Sequence, residues 1–366
     1  MKILVVLPDL GAGGAERVSI NLGKFFKNKD FQVIFLVMVE GGDLLGEAKS
    51  QFEVHSLNCT RLRNGIQPIA HMIDRLCPDI ILVHMWPLTV VTLLAQFFAR
   101  HKAHIYCIEH IPLLTHEGKR SFIKRVIVRL SIILTYRFAA RVIGVSDGVA
   151  SNVRDLARPS KLNVATLYNP VVVTYNNCLE PMSFRASDTD GSRPFLLTVG
   201  SLKRQKNHEL LIKAFFHGRF FENFDLVIIG EGPERSNLEV MISSLGMSRY
   251  ISLIGYESDV FSWYRRAELF VLSSDYEGLP TVLIEALSVG LTVVSTDCCY
   301  GPAEILDGGK FGYLVAPRDL NALIEGIRLA ASKKIDKNIS QCAASRFTID
   351  KAGEKYLDLF SSTGAF

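Results

Sequence analysis

Glu277 and Glu285 stand eight residues apart, with Gly278, Leu279, Pro280 and Thr281 directly after the first. An ionised carboxylate only accepts hydrogen bonds, so such a pair suits a hydroxyl-rich ligand. The residues between them read as the opening of a helix, whose first N–H groups lack intrahelical acceptors and bind a phosphate well. The combination fits a phosphorylated sugar: Glu277, beside the amides, accepts from a sugar next to the phosphates. Glu285, one to two turns into the helix, accepts from a ribose behind. Glu285 lies between Ile284 and Ala286 in VLIEALSV, a stretch apolar nearly all round, so it is expected to be buried and to need partners. A backbone N–H or an arginine would serve as well as a ligand.

The element that must hold these groups is LFVLSSDYEGLPTVLIEALSVGLTVVS, residues 269–295. An apolar run over 269–273 reads as a strand, a polar turn follows, then a helix and a second strand. Pro280 suits the first helical position and Gly290 the stop. EGLPTVLIE, with its glutamates spaced EX7E, resembles the signature of the retaining glycosyltransferase family 4. The resemblance covers nearly the whole chain and is densest over 195–315. It implies an α/β protein of GT-B fold, two Rossmann-like doubly wound domains facing a central cleft.

Length and composition agree with that expectation. The chain has 366 residues, 48% hydrophobic and 21% charged, enough for two domains with full cores and too apolar for a disordered chain. Seven scattered cysteines form no CxxC pair, which favours a reducing compartment. MKILVVLPDLGAGGAER opens as a strand rather than a signal peptide. Continuous apolar runs at 2–7, 31–38, 53–57, 80–83, 104–109, 141–145 and 163–167 predict strands covered by helices on both faces. A polar stretch then gives the boundaries: an acceptor-binding domain over 1–175, a linker over 176–194, and a nucleotide-sugar domain over 195–344. Strands are expected in the last near 195–199, 225–229, 250–254, 269–273, 291–295 and 313–315. The final helix, about 345–366, is expected to return to the first domain, as in the family.

Further loops join the candidate site. In PDLGAGGAERV, Gly13 and Gly14 allow close backbone approach at a helix start, and GGAER is similar to the family's first-loop motif, which approaches the donor phosphate. A tight turn for helix packing is the plain alternative. The spacing does not match a nicotinamide fingerprint, because Glu16 stands where a third glycine belongs. In VGSLKRQKNHELL, Lys206 can set a compact positive charge on a diphosphate. It matches the family's G-R-L-x-x-x-K pattern, but Ser201 replaces the arginine, and Arg204 is a candidate for the second charge. Gly230 and Gly232 resemble positions beside the nucleotide base. His110 ends a strand, where the family carries a histidine that contacts the transferred sugar; packing is the plain reading of such a residue. No metal motif stands at a strand end, since Asp188 and Asp190 fall in the linker, and no metal or other cofactor is expected.

The charge is uneven: residues 1–190 hold 22 Lys and Arg against 16 Asp and Glu, and the remainder 19 against 21. Residues 118–144 contain seven Lys or Arg and no acid. Arg120, Lys124, Arg125 and Arg129 recur at helical spacing among apolar residues, with no apolar run near the roughly 20 residues a spanning helix needs. Such a helix can lie on an anionic bilayer, or carry its apolar side on the sheet and its charges in solvent. No aromatic stacking motif accompanies the charges, so nucleic acid is not an expected partner. The expected acceptor is a polyprenyl-diphosphate-linked saccharide of a cell-surface glycan, with the enzyme peripheral on the inner face of the cytoplasmic membrane.

The resulting expectation is metal-independent, retaining transfer from a nucleotide sugar, with UDP favoured by resemblance alone. Glu277, Lys206 and His110 are the expected catalytic groups. Glu285, residues 278–281, Gly13, Gly14, Arg204, Gly230 and Gly232 are the expected donor contacts. A nucleotide-sugar epimerase of similar fold, a phosphorylase, or a non-catalytic carbohydrate-binding protein would share much of this pattern. Only transfer needs an acceptor.

Overall fold

The computed structural model describes residues 1–11, 13–114, 122–158, 162–172 and 193–365. The chain divides into two units, Met1–Val171 with Phe347–Phe366, and Val172–Arg346. Most of the linker read at 176–194 lies outside the described residues.

The first unit is a parallel sheet of β1 (Lys2–Leu7), β2 (Gln32–Val37), β3 (Glu53–Ser56), β4 (Ile80–His84), β5 (His104–Glu109), β6 (Arg141–Gly144) and β7 (Val164–Thr166). Their order is β3-β2-β1-β4-β5-β6-β7. KILVVL in β1 does not alternate because both faces are covered: Ile3 through Leu7 are all buried, as expected for a doubly wound sheet. The direction of winding changes between β1 and β4, which brings the turns after these two strands together. The C-terminal helix Ile349–Ser362 belongs to this unit. Phe360 and Tyr356 lie against Phe26 of the helix Gly14–Asn28, with ring centroids 5.6 and 6.3 Å apart. Gly353 permits the approach, since a Cβ there would come within 2.4 Å of the Phe25 ring.

The second unit repeats the plan with β8 (Phe195–Val199), β9 (Asp225–Ile229), β10 (Ile251–Gly255), β11 (Leu269–Leu272), β12 (Val293–Thr296) and β13 (Tyr313–Val315), ordered β10-β9-β8-β11-β12-β13. Its winding changes between β8 and β11, which pair in parallel. The loops leaving these two strands therefore meet, and they carry Lys206 and Glu277.

Candidate active site

In the second unit the two switch-point loops are tied to each other by backbone and side-chain bonds. Asp275 N–H donates to Gln205 O at 2.8 Å, Gln205 Nε2 to Tyr276 O at 2.8 Å, and Asn207 Nδ2 to Asp275 Oδ1 at 2.8 Å. Inside this lacing Lys206 Nζ lies 2.6 Å from Glu277 Oε1, which also accepts from Ser274 Oγ at 2.7 Å. Glu277 is 5% exposed, so its carboxylate needs the lysine and the hydroxyl to replace lost water. Asp275 is further held by Arg318 Nη2 at 2.9 Å.

The helix that follows is Thr281–Ser288. Pro280 is not its first residue: with ψ of 98° it is extended and stands at the N-cap position. Gly278, Leu279 and Pro280 are buried, wedged under the turn at Gly301, where φ is +93° and a Cβ would come 2.7 Å from Pro280 Cδ. Glu285 departs from expectation in being half-buried. Neighbouring apolar residues in sequence point to other sides of a helix, so they do not enclose it. Tyr264 OH donates to Glu285 Oε2 at 3.0 Å. Burial, then the nearby Glu285 charge, push the Tyr264 pKa well above the usual range and keep that hydroxyl a donor.

Expected donor contacts on this unit also have neighbours within the protein. The Arg204 side chain is 90% exposed and pairs with Glu234 at 3.2 Å, an acid on the next loop that sequence spacing did not reveal. At Gly230 and Gly232 an added Cβ would come 2.1 Å from Gly200 O and 2.5 Å from Leu202 O. These glycines let neighbouring loops touch, whatever else they approach.

In the first unit Gly13 is the N-cap and Gly14 the first residue of the helix after β1. From that helix Ser19 reaches His84, the last residue of β4, with Oγ 3.3 Å from Nε2. His84 Nδ1 lies 2.8 Å from Nε2 of His110, which follows β5 directly. Both rings are buried, and burial depresses their pKa values, that of His110 to about 3. Beside them Glu109 is buried and pushed up to about 7 by burial. It accepts from Trp86 N–H at 3.1 Å, Thr89 Oγ1 at 3.2 Å and Tyr136 OH. Sequence reading passed over His84, Ser19, Thr89, Tyr136 and Tyr264. The available signal was a histidine at the end of IILVH, since β4 and β5 are neighbouring strands.

The basic segment folds as the helix Phe122–Thr135. Arg120 and the side chain of Lys124 lie outside the described residues; Arg125 and Arg129 are exposed, and Arg129 donates to Arg158 O at 2.9 Å. Val128 and Ile132 are buried, yet Ile123, Ile127, Leu130 and Leu134 are exposed, Ile123 at 67%. The core of the unit thus takes in one apolar stripe and leaves a second in solvent. Phe97, Phe98 and Phe138 are exposed as well, and Phe97 stacks edge-on against Phe138 at 4.8 Å. Among the described residues no helix is long and apolar enough to cross a membrane, and no three His, Cys, Asp or Glu side chains converge as a metal site.

Comparison with known proteins follows the same division. A family model described as Glycosyltransferase Family 4 matches residues 12–175, and one described as Glycosyl transferases group 1 matches residues 181–346. The chain is 27% identical, over 94% of its length and 95% of the relative's, to the Campylobacter jejuni N-acetylgalactosamine-N,N'-diacetylbacillosaminyl-diphospho-undecaprenol 4-alpha-N-acetylgalactosaminyltransferase. It is 24% identical, over 93% of both chains, to the amylovoran biosynthesis glycosyltransferase AmsD of Erwinia amylovora. Among solved structures, Anabaena HepE in complex with UDP-glucose superposes with a TM-score of 0.81 at 19% identity, covering 99% of this chain and 100% of that one.

Proposed function

The chain belongs to glycosyltransferase family 4, with a GT-B fold, and on that premise we propose that it moves a sugar from a UDP-sugar to a polyprenyl-diphosphate-linked saccharide, with retention at the anomeric carbon. The observation that carries the reading is the buried Lys206–Glu277 pair at the mouth of the Thr281–Ser288 helix. Breaking the anomeric C–O bond leaves negative charge on the departing diphosphate and positive charge on the sugar. Lys206 and the first amides of the helix meet the former without rearrangement, and Glu277 orients the sugar beside them. Glu285, supported by Tyr264, accepts from the ribose. The leaving phosphate takes the acceptor hydroxyl proton on the face where the new bond forms. The lysine and amides supply the electrostatic help, so the reaction is read as metal-independent; a chelator should leave the rate unchanged.

The acceptor assignment is supported by the diphospho-undecaprenol substrate in the name of the Campylobacter relative and by the apolar, Arg-flanked helix Phe122–Thr135. Such a surface suits an enzyme lying on the inner face of the cytoplasmic membrane, where lipid-linked substrates are displayed.

A donor panel assayed with and without a polyprenyl-diphosphate saccharide tests the reading. The expected result is UDP release that depends on acceptor, with a product retaining the donor's anomeric configuration. Donor consumed at full rate without acceptor would instead indicate epimerisation or hydrolysis. Glu285→Gln is expected to raise donor KM with thermal unfolding unchanged; wild-type donor affinity and rate would remove Glu285 from the site.

A further inference from the structure

Arg318, just beyond β13, stands at φ +61°. A residue with a Cβ is strained in that left-handed conformation, and arginine lacks the short polar side chain that lets Asn or Asp tolerate it. Glycine would be the unstrained choice. The next residue, Asp319, caps the helix Leu320–Ser332 by accepting from Ala322 N–H at 2.9 Å, so strand and cap fix the turn from both sides. A strained backbone held in this way points to a task for the side chain that the strain keeps in place.

The side chain of Arg318 reaches the switch-point loops of its own unit. Its Nη2 donates to Asp275 Oδ2 at 2.9 Å, while Asp275 Oδ1 accepts from Asn207 Nδ2 at 2.8 Å. Asn207 and Gln205 flank Lys206. Gln205 is bonded twice to the same segment, through Asp275 N–H and Tyr276 O, and Lys206 O accepts from Ser273 Oγ at 3.0 Å. The lysine is thus clamped on both sides by residues 273–276, and the Asp275 carboxylate joins loops that leave three strands, β8, β11 and β13. The Asp275 side chain is only 17% exposed, against 50% for Arg318. A carboxylate held this deep needs a counterion, and the amide on its first oxygen is neutral; Arg318 supplies the charge.

We infer that Arg318 is a positioning residue: by fixing Asp275 it holds the Gln205–Lys206–Asn207 turn, and so keeps the Lys206 ammonium where charge develops on the departing diphosphate. The inference rests on the proposed role of Lys206 in transfer. It gives a reason for a strained arginine where glycine would fit without strain.

Two substitutions at this one position separate positioning from folding. Arg318→Gly relieves the backbone and Arg318→Gln keeps its strain, while both remove the guanidinium. Arg318→Gly should therefore melt above Arg318→Gln, yet both should lose turnover on the order of tenfold, as expected for a displaced catalytic group. Measured with the UDP-sugar that the donor panel selects, the loss should fall on kcat with donor KM little changed, because the charge facing Lys206 grows as the bond breaks. Arg318→Lys, which can still meet the carboxylate, should recover part of the turnover. Hydrogen exchange of the full chain reads the tether independently of activity: peptides covering 203–207 and 273–277 should exchange faster in Arg318→Gly and Arg318→Gln than in wild type, and those covering β9 should not. Wild-type turnover in Arg318→Gly would overturn the inference, as would unchanged exchange of the two loop peptides. Full turnover in Lys206→Met would instead remove the lysine from the reaction and this role of Arg318 with it, and faster loop exchange in the Arg318 variants would then show that the tether itself had not failed.

Discussion

At the scale of single residues, the proposed function gives the Lys206–Glu277 pair two separable jobs. As a buried pair it stabilises the switch-point loops, and removing one partner leaves an uncompensated charge. Lys206→Met is therefore expected to cost on the order of 3 kcal/mol of stability. Adding Glu277→Gln removes that charge and should recover most of the stability, because the amide can still accept from Ser274. Transfer should not recover, remaining on the order of 100-fold down for want of the cation facing the diphosphate. Denaturant unfolding and turnover of the single and double variants check this; activity that returned with stability would make the pair structural only. Glu109 gives a pH signature. Its pKa is raised from 4.5 to about 7 by burial, so between these values the folded state holds more protons than the unfolded one and stability falls as pH rises. His110, lowered to about 3, acts in the opposite sense, losing stability as pH falls below 6.5. Subtracting wild type from Glu109→Gln isolates the first effect. The variant's relative stability should climb between pH 4.5 and 7 by an amount on the order of 3 kcal/mol, measured by denaturant unfolding at each pH, and a flat difference would place the ionisation elsewhere.

At the scale of elements, what was legible and what was not have physical causes. The central strands could be read because both faces of each sheet are covered there, which makes runs such as KILVVL and DLVII continuous and apolar with no competing period. The EX7E turn could be read because its glutamates and glycine punctuate a strand and a helix. Three features could not. Pro280 tolerates both N-cap and first-turn positions. The burial of Glu285 depends on what lies across from its own side of the helix. The mixed apolar and basic pattern of 122–135 says that the helix has different sides, but not which one the core takes in. Gly301 illustrates how an element outside the signature holds it in place. Its φ of +93° and its closeness to Pro280 Cδ and Gly278 O leave no room for a Cβ. Gly301→Ala should cost roughly 2 kcal/mol or more and lower turnover by displacing the 278–280 turn. Ser274→Ala removes one bond to Glu277 and leaves that turn untouched, so it should destabilise less. Equal melting temperatures for Gly301→Ala and wild type would show that the turn is not under this constraint.

At the scale of the molecule, the basic segment and the exposed apolar stripe of Phe122–Thr135 fall on the same unit. Monomeric soluble proteins rarely leave a contiguous apolar patch of this kind uncovered, and here Ile123, Ile127, Leu130 and Leu134 share one helix, with the Phe97–Phe138 contact adding aromatic surface. Basic residues alone would give a membrane attraction of about 1 kcal/mol each that fades with salt. Apolar insertion would persist, since it depends on area removed from water. The two contributions are therefore separable by variant and by ionic strength. Ile127→Gln with Leu130→Gln should weaken partitioning onto vesicles containing anionic lipid on the order of 100-fold, two apolar side chains' worth, at low and high salt alike. Arg125→Gln with Arg129→Gln should weaken it several-fold at low salt and little at high salt. Turnover on a short-chain, water-soluble acceptor should be unaffected by either pair, because the substitutions leave the Lys206–Glu277 loops in place. Flotation of the full chain with vesicles, beside turnover on soluble and full-length acceptors, measures all of these. Unchanged flotation of the Ile127→Gln, Leu130→Gln variant would mean that this face is covered by something other than lipid.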